Sequence, residues 1–214
     1  PLPYAIEQNE YETILQNIDN LSDKELLNTW YKLDENQIPA SYILNERKIK
    51  NKINYTEEMK NFSFNPKISF IMPTYKSNKK YLSECIDSVI RQKYTNWELC
   101  IADDASPDKG VTKRIIEQYA KKDERIKYIF RTENGHISEA TNTALSISTG
   151  EYVVLIDHDD IVSDDALFDF VKVLNNEDKN SIKLIYSDED KVTKKGKRFC
   201  PYFKPDFSPD TFNS

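Results

Sequence analysis

From residue 66 to residue 186 the chain alternates short apolar runs with longer stretches of helical spacing, and this alternation constrains the fold more than anything else. Runs at 67–72, 97–102, 125–130, 151–156 and 182–186 have the length and β-branched or aromatic content of buried strands. The first is expected to stop at Pro73, because proline cannot donate to a ladder. The intervening segments 79–93, 108–122, 136–148 and 164–175 read as helices; in the first, Leu82, Cys85, Ile86, Val89 and Ile90 share one face. Strand–helix alternation predicts an α/β fold: a mostly parallel, Rossmann-like sheet with helices on both faces. Further on, Lys194-Lys195-Gly196-Lys197 reads as a hairpin tip, followed by an aromatic, proline-rich tail over 201–214.

Composition changes near residue 62. Before it, 6–15 and 21–33 carry apolar residues at helical spacing, with Ser22 as N-cap of the second segment. Pro39 breaks the pattern, and a polar helix is expected over 41–59. These residues hold no catalytic constellation. The expected organisation is a helical appendage over 1–62 and an α/β domain over 63–214, and a chain opening on Pro1 reads as part of a longer protein.

The formal net charge of −6 argues against a nucleic-acid partner. Binding an anionic phosphate would then need local relief, from a metal or from backbone amides. No apolar stretch reaches the length of a membrane span and no signal peptide opens the chain. Three widely spaced cysteines show neither zinc spacing nor a disulfide framework. Cys85 and Cys100 read as small buried side chains in a reducing cytosol.

The chemistry collects at the strand ends. Residues 151–160 run from an apolar strand straight into Asp157, Asp159 and Asp160. Asp157 and Asp159, two positions apart, would face one side of an extended segment. Two hard carboxylates so placed suit Mg²⁺ or Mn²⁺, above all a metal that also carries phosphates. The first strand runs into Pro73, Thr74 and Tyr75, whose amides and ring can meet a planar base. The second ends in Asp103-Asp104-Ala105-Ser106, where a carboxylate can accept from a base N–H or a ribose hydroxyl. In a parallel sheet these ends gather at one edge. Asn134-Gly135-His136 opens the helix that follows the third strand: Gly135 allows close approach or positive φ, the helix N-terminus favours an anion, and His136 can bond a phosphate or a base. His158 is expected to turn into packing, the alternative being a place in the metal's shell. Neither a Gly-x-x-x-x-Gly-Lys loop nor a Gly-x-Gly-x-x-Gly fingerprint occurs, which disfavours kinase-type and dinucleotide-binding chemistry.

Six pieces in this order resemble a family 2 glycosyltransferase of the GT-A fold: Ile-Met-Pro-Thr-Tyr (71–75), Ala-Asp-Asp-Ala-Ser (102–106), Glu-Asn-Gly-His-Ile-Ser (133–138), Ile-Asp-His-Asp-Asp (156–160), Tyr-Ser-Asp-Glu-Asp-Lys (186–191) and Phe-Lys-Pro-Asp-Phe-Ser-Pro-Asp (203–210). The last three are similar to a bacterial surface-polysaccharide, rhamnosyltransferase-like subgroup. The resemblance implies that Pro73, Thr74, Tyr75 and Asp104 hold nucleobase and ribose. It implies that Asp157 and Asp159 form the metal motif for Mn²⁺ or Mg²⁺, Asp159 being the more direct ligand. The implied reaction is inverting transfer from a nucleotide-diphosphate sugar, of UDP or dTDP type, to a glycan, lipid-linked or protein acceptor. The implied place is the cytoplasm, including the inner face of the membrane. Residues 1–62 are the expected contact for a membrane-associated or oligomeric partner. Two departures stand out: Thr141 falls where relatives often carry a basic residue, and the acceptor-side segment bearing the catalytic base is expected beyond Ser214. Asp188, Glu189 and Asp190 are not assigned as that base. The competing reading is a non-catalytic nucleotide-sugar-binding or scaffolding module.

Overall fold

A computed structural model describes residues 48–178, 182–194, 196, 198–202 and 204. The expectations for 6–15, 21–33, Ser22, Pro39 and the 205–210 part of the tail lie outside those residues. One compact unit spans Tyr55–Lys183, and the described residues from Leu184 on belong to a second.

The first unit is built on four parallel strands: β1 (Ile68–Thr74), β2 (Trp97–Asp103), β3 (Ile126–Phe130) and β4 (Tyr152–Leu155). Their order is β3-β2-β1-β4. Helices α2 (Lys79–Ile90) and α3 (Val111–Ala120) join strands that step one way across the sheet, and α4 (His136–Ser146) carries the chain back past β1 to β4. Right-handed crossovers in opposite directions place helices on opposite faces. Accordingly Ile71, Cys100 and Ala102 form a core cluster with Ala144 of α4, with Ile147 packed against it. Strand alternation turns Phe70, Met72, Leu99 and Ile101 to the other face, where all four are fully buried. The α/β expectation of a parallel sheet with helices on both faces holds.

Pro73 does not stop β1. It lies inside the strand, paired in register with Ala102. Pairing of β1 with β4 ends at Ile71 and Leu155, where the Ile156 amide donates to the Ile71 carbonyl (3.2 Å). Two residues on, Pro73 points its nitrogen to that same side, so the missing N–H forfeits no ladder bond.

At the opposite end of the sheet, Glu98 is a buried carboxylate that ties the return from α4 into β4. It pairs with Lys67 (2.6 Å) and Lys127 (2.8 Å) and accepts from the Ser69 hydroxyl (2.7 Å) and the Thr149 amide (2.5 Å). Burial alone would raise its pKa, but hydrogen bonds from Lys127 and Lys67, then from Ser69 and the Thr149 amide, hold it well below the usual carboxylate range. Next to it the Gly150 amide donates to Ser69 Oγ (2.9 Å).

The unit begins earlier than the expected boundary at 63. Helix α1 (Tyr55–Lys60) and the residues after it pack on α5 (Ala166–Asn176). The Tyr55 ring meets Phe168 edge-on, Phe62 stacks on Phe168, and the Asn175 side chain bonds both the amide and the carbonyl of Phe64. Within the expected polar helix over 41–59, the described residues are helical at 48–52, break at 53–54 and resume in α1.

In the second unit, β5 (Glu189–Val192) pairs antiparallel with β6 (Arg198–Tyr202). The turn between them carries Gly196 at φ +80, so the expected hairpin is present. The expected strand over 182–186 is not: these residues are irregular, and Leu184 and Tyr186 are exposed. A strand is a paired state, and no described strand pairs with this run, so its apolar content alone does not make it one. Asp188, Glu189 and Asp190 all have partners within this unit. Asp188 accepts from the Lys204 amide, Glu189 pairs with Lys204 and Asp190 with Arg198.

Candidate functional site

The strand order reverses direction at β1: the chain steps outward to β2 and β3, then returns to β1's other side for β4. Such a switch point leaves a crevice at the carboxyl ends of the two flanking strands, because their following loops diverge to opposite faces. Here the flanking loops are 75–78 after β1 and 156–165 after β4. The first holds Tyr75, and the second holds Asp157, His158 and Asp159.

The acidic residues do not continue the strand. β4 ends at Leu155, and the Asp160 amide donates back to the Asp157 carbonyl (3.2 Å). Residues 157–160 thus form a tight turn, and the expectation that Asp157 and Asp159 share one side of an extended segment is corrected. Both carboxylates are exposed. Between them the half-buried His158 ring spans the crevice, Nδ1 lying 3.4 Å from Asp159 Oδ1 and Nε2 lying 3.4 Å from the Tyr75 carbonyl. The ring thus stays beside Asp159 and does not turn away from the acidic pair into packing. Among the described residues no three His, Cys, Asp or Glu side chains come together as a closed metal cage. Two exposed hard carboxylates on one turn fit Mg²⁺ or Mn²⁺ held by one or two protein ligands plus phosphate oxygens, not a dedicated all-protein cage.

On the β2 side the polar residues are tied to one another. The Thr74 hydroxyl donates to Asp103 Oδ1 (3.1 Å), and the Ser106 hydroxyl and amide also donate to the Asp103 carboxylate (2.6 and 3.1 Å). Asp104 is buried. Its Oδ1 accepts from Arg131 Nε (2.9 Å) and from the Gly135 amide (2.9 Å), and its carbonyl accepts from the Asn134 side chain (3.2 Å). Arg131 Nη1 also reaches the Thr143 hydroxyl (2.6 Å), linking this network to α4. Asp104 therefore clamps the β3–α4 loop, and Thr74 serves Asp103. Tyr75, by contrast, presents an exposed ring, with Lys76 Nζ 5.0 Å from its centroid.

Gly135 is needed for close approach and not for positive φ. Its φ is −122, whereas a Cβ there would lie 2.6 Å from Arg131 Nη2 and 2.8 Å from Glu139 Cβ. The left-handed residue is His136, at φ +65, with an exposed side chain. Lys76 (φ +50), Ala105 (φ +56) and Lys109 (φ +56) are left-handed too, so each loop leaving β1, β2 and β3 contains at least one strained non-glycine residue, and the loop after β2 contains two. Strain of this kind persists only where surroundings over-determine it, and it concentrates at ligand-binding loops.

Arg131 and Asp103 escape a reading made one motif at a time. The register offers the signal: Asp103 pairs with Phe130, so the residues that follow, Asp104 and Arg131, leave the sheet side by side.

A parallel α/β sheet with an acidic turn at its switch point has the layout in which open α/β folds bind their ligands. The chain belongs to glycosyl transferase family 2, whose model matches residues 69–211. It is 44% identical over 145 residues to the uncharacterized protein y4gI of Sinorhizobium fredii, covering 68% of this chain and 16% of that one. It is 32% identical over 158 residues to the O-antigen biosynthesis protein RfbC of Myxococcus xanthus, covering 74% and 12%. The chain thus spans less than a fifth of the length of these two relatives. Among solved structures it is similar to the mannosyltransferase PcManGT of Pyrobaculum calidifontis in complex with GDP-Man and Mn²⁺, with 31% identity and a TM-score of 0.48 over 52% of this chain and 33% of that one. Among the described residues no helix is long and apolar enough to cross a membrane.

Proposed function

We propose that this chain carries the donor-binding site of an inverting, metal-dependent glycosyltransferase of the GT-A type that acts in bacterial surface-glycan synthesis. One observation carries the reading: in a family 2 chain, the acidic turn Asp157–Asp160 sits across the switch-point crevice from Tyr75. The similarity to an O-antigen biosynthesis protein supports the surface-glycan setting. A cytoplasmic location, including the inner membrane face, goes with it.

The roles follow from exposure and partners. Tyr75 offers a ring face to the nucleobase of a UDP- or dTDP-type donor, and the Pro73–Thr74 backbone borders the same crevice. Asp104 meets base or ribose through Oδ2, which among the described residues receives only the longer Gly135 contact (3.2 Å). Gly135 and His136 open α4, whose N-terminus favours the donor's negative charge. Asp157 and Asp159 are the ligands for Mn²⁺ or Mg²⁺, which when bound offsets the charge developing on the departing diphosphate. Inversion needs a carboxylate on the far side of the sugar, which takes the acceptor's proton as its oxygen displaces the diphosphate. No residue of this chain is assigned that task. A glycan, lipid-linked or protein acceptor, and a membrane-associated or oligomeric partner for residues 1–62, belong to the same proposal.

The pairing of Asp188, Glu189 and Asp190 with Lys204 and Arg198 favours a second reading, a donor-binding module without transfer activity of its own. Titration calorimetry with UDP and dTDP, with and without Mn²⁺, tests the donor site: metal-dependent binding that Asp159→Ala abolishes is the expected result. Binding that ignores both the metal and the substitution would overturn it. Release of free sugar or transfer to an acceptor separates enzyme from module.

A further inference from the structure

The loop that bears the acidic turn is held from below by one ridge of α2. Cys85, Ser88 and Gln92 recur at i, i+3 and i+7, on one side of the helix and its last turn. All three are buried beneath residues 157–167. Each reaches that loop's backbone. The Cys85 thiol donates to the Asp157 carbonyl (3.3 Å). The Val162 amide donates to Ser88 Oγ (3.2 Å), while the same hydroxyl donates to the Cys85 carbonyl (2.7 Å). Gln92 Nε2 donates to the Ser163 carbonyl (2.6 Å), and its Oε1 accepts from the Leu167 amide (3.0 Å). Just past this ridge, the Lys93 amide donates to the Asp164 carbonyl (2.7 Å).

These groups answer a specific need. The segment from Asp157 to Leu167 leaves the sheet and must turn into α5 without a ladder to satisfy its amides and carbonyls. Buried backbone groups without partners are costly, so a loop of this kind holds one conformation only if side chains supply them. A hydrophobic residue at position 88 or 92 would fill the same space and leave Val162, Ser163 and Leu167 unserved. The polar choice at these three buried positions, two in α2 and one just past its end, is therefore explained by the loop and not by the core.

We infer that Ser88 and Gln92, with Cys85, are positioning residues for the acidic turn: they fix the loop backbone so that Asp157 and Asp159 present their carboxylates in the geometry a divalent cation requires. The inference rests on the donor-site reading above. It adds that metal affinity is set in part by α2 side chains that never touch the metal, as outer partners of ligands generally do. Ser88 acts through Val162, five residues beyond Asp157, and Gln92 through the far end of the same loop.

The test uses the intact chain and the variants Ser88→Ala and Gln92→Met, made singly, so that each removes polar atoms with little change of volume. Ile116→Val, on the buried face of α3, serves as a control for general destabilisation. Three quantities are read: amide exchange at Val162 and Leu167 by NMR, Mn²⁺ binding by electron paramagnetic resonance, and UDP and dTDP affinity with and without Mn²⁺. In both variants faster exchange at the bonded amide should accompany a loss of about tenfold in metal-dependent affinity. Metal-independent nucleotide binding and the control should stay unchanged. Unaltered Mn²⁺ affinity in variants whose loop amides have opened would overturn the positioning role while leaving the donor site standing. A matching loss in the control, or a loss without faster loop exchange, would overturn it equally. A wild-type chain that binds neither metal nor nucleotide would remove the donor site and this inference together.

Discussion

The Asp104 carboxylate and the Arg131 guanidinium meet at 2.9 Å where β2 and β3 leave the sheet, and the Gly135 amide completes the same contact. Asp104 is 3% exposed at the side chain and Arg131 is 21% exposed, so the pair is shielded on the carboxylate side and wet at the guanidinium edge. A carboxylate buried this far depends on its partner.

Asp104→Asn should therefore destabilise the chain by about 3 kcal/mol, the low end of the cost of stranding one member of a buried pair. Arg131→Met should cost a comparable amount. The double variant should cost less than the sum, since it leaves no uncompensated charge. Urea denaturation of the four proteins measures the coupling, and additive losses would contradict it.

Glu98 makes a pH prediction whose sign is fixed by its depressed pKa. A carboxyl held below its unfolded value near 4.3 stabilises the fold above that value, and the contribution is lost as pH falls toward the folded one. Stability should be flat from pH 7 to about 5 and should fall below about pH 4. Glu98→Gln should shrink this acid limb, leaving the part owed to Asp108 and Asp123, and cost about 2 kcal/mol at neutral pH, less than a fully buried pair because both lysine ends reach water. Thermal melts across the pH range check both.

Gly150→Ala should be among the most damaging single-methyl changes. A Cβ at this position would lie 2.5 Å from Ser69 Oγ, 2.7 Å from the Lys67 carbonyl and 2.7 Å from the Ser69 amide. Two of those atoms belong to the backbone and cannot swing aside. A loss of about 2–3 kcal/mol follows from overpacking. A melting temperature within a degree or two of wild type would show that the β4 entry is looser than described.

Burial pushes the thiols of Cys85 and Cys100 up to about 12 and about 11. At pH 8 neither should react with a thiol reagent in the folded chain, and both should react in urea. Because the unfolded thiols ionise first, stability should also decline as pH rises above about 8.5. Rapid labelling of two or more cysteines under native conditions would contradict the burial.

Asp159→Ala and Asp157→Ala should leave the melting temperature within about 2 °C of wild type, as exposed positions away from the core usually do. Both should lose Mn²⁺-dependent nucleotide binding. Calorimetry beside a melt separates this outcome from unfolding, and intact metal-dependent binding in both variants would count against the pair as ligands.

What the chain's sequence determines by itself is local. Hydrophobic period and turn residues depend on near neighbours, so the four strands of the parallel sheet, the helices between them and the hairpin tip at 194–197 were readable within a few residues, whereas the strands flanking that tip were not. Pairing is not local. The apolar run at 182–186 has strand composition but finds no described partner, and Pro73 stays in a strand because β4 has already parted from β1 at that level. The acidic residues could be named from sequence, yet their turn, the Asp104–Arg131 pair and the Cys85–Ser88–Gln92 ridge appear only once segments distant along the chain are adjacent. Side-chain partnership is a property of register and crossover direction, and the tertiary structure alone supplies both.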